Sequence, residues 1–426
     1  NFKDAIRIYP DDTKSHVELG KSFNMNEDTE NSISAFNLAL GIDSKCAPAY
    51  YYMGEVMGKT GDHSQAAVAY VQSIKLDDSY VDAYYQLGLT YFTLKEYTRA
   101  VESFRKGLSL NPENEPEFFY QLGKAHAAGG DYKQAIFAFK ESSRLNPDSK
   151  YVYFEMGKSF YSLFRFDDAA NYFQKAVEID NDYADAHYHK ARALENLADY
   201  EIAATAYDEV TRISPDDISA YFNLGLIYQK LNQYENAENS FNKALEIKPE
   251  YPEAYFQIGM TFSQQGRNLE GGELDDISDA YTKSQQAFAT AIQQRPEYYE
   301  AHFNRGLVNH KLERYNDAIT DFFNASNIDS SSADVFYSLG LSYVGNEDYR
   351  QAVRSFDNAI SRKPVHHQAY YQKGLSLEHL EKFKDALTAF ENSVEHNENN
   401  DDYFYHLGLN AFREGQFDKA RKAYER

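Results

Sequence analysis

Few stretches of this 426-residue chain pair residue types at spacings that could do chemistry. The tripeptide Gly-Lys-Ser occurs at Gly20–Ser22 and again at Gly157–Ser159. A phosphate-binding loop needs another glycine five residues before the Gly-Lys pair, so that main-chain N–H groups can cradle phosphate oxygens. Ser15 and Val152 stand at those positions, and no nucleotide site is read here. His187 and His189, and the adjacent His366 and His367, raise the question of a metal. Residues one or two apart point to different faces of a helix, and no histidine pair has the i, i+4 spacing of a helical zinc site. Packed or solvated imidazoles are expected instead. The carboxylates Glu270, Glu273, Asp275, Asp276 and Asp279 do not follow the spacing of a calcium-binding EF-hand loop, and read as a solvated acidic loop. Asn324–Ser326 is an Asn-x-Ser match placed mid-helix and is read as chance. No Ser-His-Asp or Cys-His arrangement can be argued. The chain is therefore expected not to be an enzyme and to need no cofactor or metal.

Composition narrows the partners. The formal net charge is −23, which argues against nucleic acid and against an anionic membrane surface. No apolar run approaches the roughly 18 residues of a membrane span. Cys46 is the single cysteine, so the chain has no internal disulfide and its redox compartment stays open. Aromatics reach 15%, with 37 Tyr and 29 Phe but no Trp, enough to build a long continuous core. The chain starts at Asn1 without a methionine, so the first residue given need not be the first residue made.

What would position any functional group is a repeat. Gly20, Gly54, Gly88, Gly123, Gly157, Gly225, Gly259, Gly306, Gly340, Gly374 and Gly408 recur at 34 residues, with one step of 35 and one of 47, and Ala191 fills the missing rung. Counting this glycine as position 8, positions 4, 7, 8 and 11 make one stripe of a first helix, as in Tyr221, Leu224, Gly225 and Tyr228. Positions 17, 20, 24 and 27 make the stripe of a second helix, as in Tyr234, Ala237, Phe241 and Ala244. Small residues at 8, 20 and 27 let the helix backbones approach, and aromatics fill the space around them. Proline at position 32 (Pro112, Pro147, Pro215, Pro249, Pro296 and Pro364) stops the second helix. No repeat covers its own apolar face, so neighbours must stack.

This outline of aromatic, Leu-Gly, Tyr, then Ala, Phe, Ala and Pro resembles the tetratricopeptide repeat family, in about twelve copies over essentially the whole chain. The resemblance implies an all-α, right-handed superhelix of antiparallel helix pairs whose first helices line a concave groove. It places repeats near 13, 47, 81, 116, 150, 184, 218, 252, 299, 333, 367 and 401, as one continuous array. Residues 1–12 then read as the back half of a preceding repeat, and an acidic insertion loop falls at about 267–279. With no polar capping helix at either end, the sequence reads as an excerpt of a longer array.

The expected function lies in the groove, at positions 2, 5, 6, 9 and 12. Position 5 is aromatic, including Tyr85, Tyr120, Phe154, Tyr188, Phe222, Phe256 and Phe303. These rings either pack against the next repeat or form a ladder on which a ligand stacks. Position 9 is Lys124, Lys158 and Arg192 in three consecutive repeats, then apolar from Leu226 through Met260 and Leu307. Position 6 offers amides such as Asn223, Gln257 and Asn304, a partial match to the asparagine ladder with which some family members grip peptide backbone. Aromatics at position 5 exclude the family's clamp for chaperone C-termini. The expectation is a non-enzymatic scaffold holding an extended peptide or partner segment, with the basic trio favouring an acidic or phosphorylated stretch. Two alternatives stay open: head-to-tail self-association into a filament, and a regulatory segment of a longer protein with a catalytic domain elsewhere.

Overall fold

A computed structural model describes residue 7 and residues 9–110, 116–269 and 273–426. Pro112, Glu270 and most of residues 1–12, read above as part of the repeat pattern, lie outside the described residues. The described residues form 24 helices and no strand. They fall into two compact units, Asn1–Ser214 and Pro215–Arg426.

In the first unit the helices are α1 Thr13–Met25, α2 Thr29–Ile42, α3 Ala47–Lys59, α4 His63–Leu76, α5 Val81–Thr93, α6 Tyr97–Leu110, α7 Pro116–Ala128, α8 Tyr132–Leu145, α9 Lys150–Ser162, α10 Phe166–Ile179, α11 Ala184–Asn196 and α12 Tyr200–Ile213. In the second they are α13 Ile218–Lys230, α14 Tyr234–Ile247, α15 Pro252–Asn268, α16 Leu274–Gln294, α17 Tyr299–Lys311, α18 Tyr315–Ile328, α19 Ala333–Gly345, α20 Tyr349–Arg362, α21 His367–His379, α22 Phe383–His396, α23 Asp401–Arg413 and α24 Phe417–Tyr424. Within each unit every helix packs on the one before and the one after. Each unit is thus an all-α stack of helix pairs, a helical solenoid.

One turn joins the two helices of nearly every pair. Its key residue is left-handed, with φ of 57° at Glu27, 61° at Lys95, 58° at Phe164 and 85° at Gly61. After it, the Asp28 N–H donates to the Phe23 carbonyl at 2.9 Å, which closes the first helix in a Schellman-like cap. The next residue often caps the second helix: Asp28, Asp62, Asp131 and Asp348 accept from the main-chain N–H three residues on.

Between the two helices, the glycine at position 8 lies under the ring at position 24. A Cβ built on Gly123 would stand 2.4 Å from Phe139 Cε1, and one on Gly225 would stand 2.6 Å from Phe241 Cε1. These rings are sealed: Phe36, Phe104, Phe139, Phe173, Phe241, Phe288, Phe322, Phe356 and Phe390 have no exposed surface. Burying each contributes about 2–3 kcal/mol. Ala191 takes the glycine's place opposite Tyr207, whose hydroxyl is buried without a partner.

The insertion corrects an expectation. Most of the described residues of 267–279 are helical. Helix α15 runs 17 residues where other first helices run 13, and α16 runs 21 where most second helices run 14. Gly266 holds the position of the left-handed turn residue, yet it is helical and buried, and a Cβ there would meet Tyr281 Cε1 at 2.9 Å. The physical reason is continued burial. Ala280 and Tyr281 are core, and Ile277 packs on the cluster of Tyr281, Phe288 and Val308. Asp275 and Asp276 sit in the first turn of α16, where the helix dipole favours negative charge. Glu273 precedes that turn, and Asp279 pairs with Lys283 at 2.8 Å.

Candidate binding surface

The buried stripe of each first helix fixes what the opposite stripe presents. In the first unit the position-5 rings do not stand free. Tyr85 lies 6.0 Å from Phe104 and 4.8 Å from Phe118, and Phe154 lies 5.7 Å from Phe173 and 5.1 Å from Tyr183. Tyr120 packs 6.0 Å from Phe139, and Tyr188 packs 5.6 Å from Tyr207. Burial, then the nearby Glu155, pushes the Tyr120 phenol up to about 12, so it stays a neutral hydroxyl. Of the two readings of position 5, the packed one describes these rings: Phe154 is buried, and Tyr85, Tyr120 and Tyr188 are half-buried.

Position 9 projects further. Lys124 is half-buried, with Nζ 5.5 Å from the ring centres of both Phe92 and Tyr120 and no carboxylate within ion-pair reach among the described residues. Lys158 is exposed and pairs with Glu155 at 3.1 Å. Arg192 is exposed, its guanidinium 5.6 Å from the Tyr161 ring. Lys124 and Lys158 share one cleft of about 340 Å³ with Phe92, Ala127, Ala128, Tyr132, Glu155, Ser159 and Ser162; Arg192 is not on its wall.

In the second unit, Phe222 packs on Phe241 and Tyr251 at 5.6 and 5.2 Å, Phe256 on Phe288 and Tyr298 at 5.6 and 5.2 Å, and Phe303 on Phe322 at 5.7 Å. Leu226 and Met260 are half-buried, while Leu307 is 39% exposed and so offers an apolar step. The position-6 amides differ among themselves. Asn304 Nδ2 folds back on the Glu300 carbonyl at 2.8 Å, which uses one of its two N–H donors. Asn223 and Gln257 are half-buried.

Several placements escaped sequence reasoning. Lys190, Arg305 and Lys373 replace the usual leucine or methionine at position 7. Lys190 Nζ donates to Gln174 Oε1 at 2.7 Å, Lys373 pairs with Asp357 at 2.6 Å, and Arg305 pairs with the buried Asp321. Glu378 receives His406 Nδ1 and Asn410 Nδ2, both at 2.9 Å, and Arg413 Nη1 at 3.0 Å. For the three position-7 cations the signal available was the broken leucine column. The histidines at position 4 are structural: His16, His187 and His302 each bring Nε2 to the carbonyl six residues back, at 2.9, 3.0 and 3.0 Å. His189 packs on Phe154 and Phe173. Among the described residues no cluster of three or more His, Cys, Asp or Glu could hold a metal ion, and no helix is long and apolar enough to cross a membrane.

Buried imidazoles carry a pH prediction. Burial, helped by Arg105, holds His126 below the ordinary imidazole range against the pull of Asp131. Burial also lowers His189, with Arg192 and Lys158, and His310, with Lys311. His366 is lowered by burial and Lys363. A lowered folded value means the unfolded chain binds more protons just below about pH 6.5, so stability falls as pH drops through that window. Glu378 adds a lower window. Burial alone would raise it, but the bonds from His406 and Asn410 win and hold it below its ordinary value. Its contribution is lost as pH falls further, through its depressed value. Urea melts should show the midpoint declining from about pH 6.5 downward. A midpoint flat to pH 5 contradicts the assignment.

This combination, stacked helix pairs with a partly uncovered stripe on each first helix, defines the class of helical-repeat interaction scaffolds. Models described as tetratricopeptide repeat match residues 81–114 and 218–251, residues 120–184, 278–333, 337–395 and 371–426, and residues 160–225; a further TPR repeat model matches 59–95. The chain belongs to the tetratricopeptide repeat family. It is 28% identical over 119 residues to human Protein O-mannosyl-transferase TMTC3, covering 28% of this chain and 13% of that protein. It is 27% identical over 114 residues to the Peroxisomal targeting signal receptor of Candida albicans, covering 26% of this chain and 19% of that one. The chain therefore spans less than a fifth of either curated relative. Among solved structures it is similar to YrrB, described as a TPR protein with an unusual peptide-binding site, at a TM-score of 0.40 and 26% identity over 44% of this chain and 95% of that one.

Proposed function

We propose that the chain is a non-catalytic scaffold, each unit of which holds an extended segment of a partner protein along the position-9 stripe of its own first helices. The family is typically a non-catalytic scaffold, and the coarse reading of protein–protein interaction follows from membership. One observation carries the finer reading. Positions 4, 7, 8 and 11 are largely spent on packing, whereas position 9 is left half-buried or exposed and carries runs of one chemistry, Lys124, Lys158 and Arg192 in three consecutive repeats of the first unit and Leu226, Met260 and Leu307 in the second. An uncovered row of one character is what a bound segment reads, with its main chain supplying affinity and its side chains selectivity. Half-buried rings beneath the row add rigid contact area.

Site-specific photocrosslinking tests this. A benzophenone side chain replacing Lys124 or Leu226 is expected to capture one discrete protein in the native extract. The same group at Lys140 or Glu246, exposed positions on second helices, is expected to capture none above background. Equal yields at all four positions would sink the groove reading.

A further inference from the structure

We propose that the cleft between α7 and α9 receives a phosphorylated side chain of the bound partner; this rests on the scaffold reading above and gives the partner its chemistry. The cleft exists because Ala127 is small where the neighbouring repeats carry Phe92 and Tyr161. It brings together two ammonium groups from successive first helices, Lys124 and Lys158, with one carboxylate, Glu155.

That surplus of positive charge is unusual in this chain, whose formal net charge is −23. Several other first-helix cations find carboxylates: Lys21 with Glu18 at 3.0 Å, Arg305 with Asp321 at 2.5 Å, Lys373 with Asp357 at 2.6 Å. Among the described residues Lys124 has no ion-pair partner, and ring faces lie 5.5 Å away on two sides. Lys158 is tied to Glu155 by an exposed i, i+3 pair, an interaction weak enough to be exchanged for a better anion.

A phosphate monoester carries about −1.5 to −2 at neutral pH and three acceptor oxygens, enough to bridge two ammonium groups. A carboxylate offers one charge in a planar array that suits an arginine fork, and Arg192 lies outside the cleft. Ser162 adds an exposed hydroxyl, while Ser159 Oγ already donates to the Glu155 carbonyl at 2.8 Å. A volume of about 340 Å³ exceeds what a bare phosphate fills, and Phe92 and Tyr132 wall the remainder for the stem or ring of the modified side chain.

The test is a lysine-acylation footprint on the full chain, read by mass spectrometry at constant ionic strength. Phenyl phosphate at millimolar concentration is expected to slow acylation of Lys124 and Lys158 about fivefold, leaving Lys140 unchanged. Phenylacetate and inorganic phosphate are expected to protect less than about twofold. Ala127→Phe fills the cleft without altering a charge and is expected to abolish the protection while the helical melt stays unchanged. No protection, or equal protection by phenylacetate, overturns the phosphoryl assignment. Equal protection by inorganic phosphate overturns the side-chain assignment. Protection persisting in Ala127→Phe overturns the location. If the crosslinks at positions 124 and 226 stand while phenyl phosphate fails, this proposal falls and the scaffold reading survives; if the crosslinks fail, the reading itself falls.

Discussion

Truncating Phe139 to alanine is expected to destabilise the α7–α8 pair by about 3–5 kcal/mol, at the upper end of large-to-small core changes. The ring is fully buried, and it lies on Gly123, which has no side chain to collapse into the space it leaves. The loss should appear as faster amide exchange in α7 and α8, which resolves one repeat better than a global melt of an array. A second variant makes the sign decisive. Gly123→Ala alone puts a methyl 2.4 Å from Phe139 Cε1, so it must displace a sealed ring and is expected to destabilise by about 1–3 kcal/mol. In the Phe139→Ala background the same methyl enters the cavity and removes a mid-helix glycine, so it is expected to restore about 1 kcal/mol. If Gly123→Ala has the same sign in both backgrounds, the ring-on-glycine contact is not what sets the helix spacing.

That contact also explains how much was legible in the sequence. Gly123 and Phe139 recur as Gly157 and Phe173, Gly225 and Phe241, and Gly340 and Phe356, and close backbone approach has few other solutions. The helix-pair fold follows from this periodic constraint. The surface was less legible because it depends on which neighbour closes over which side chain. Tyr183, Tyr251 and Tyr298, each just ahead of or at the start of a first helix, fold against the position-5 rings of the preceding repeat and turn a potential ladder into wall. They were visible in the sequence, but their target was not. The cleft beside Lys124 needed the combined size of Ala127, Ala128 and two rings from other helices, which no single-position pattern encodes. At Gly266 the sequence offered a turn residue, and the burial of Ala280 and Tyr281 beyond it overrode that local preference.

The buried pair Arg305–Asp321 carries the second large effect. Asp321 is 2% exposed and takes Arg305 Nε at 3.0 Å and Asn309 Nδ2 at 2.9 Å, with His302 Nδ1 3.6 Å away. Removing the carboxylate alone, as in Asp321→Ala, leaves a guanidinium whose side chain is only 20% exposed and strips Asn309 of its acceptor. The expected loss is about 3–5 kcal/mol, the range for breaking one partner of a buried ion pair. Other repeats of the same chain show the apolar solution: Leu122 faces the α7–α8 core with Ala138 at the position equivalent to Asp321, and Met53 does so in the α3–α4 pair with Ala69. Arg305→Leu combined with Asp321→Ala should therefore recover most of the loss, since a packed apolar pair often equals or exceeds a buried ion pair. Residual loss is expected from Asn309, whose Oδ1 is already without a partner, and Asn309→Leu added to the pair should remove it. Amide exchange in α17 and α18 reads the cycle. A double variant as unstable as Asp321→Ala would mean that the ion pair itself, and not the charge left unpaired, holds this repeat together.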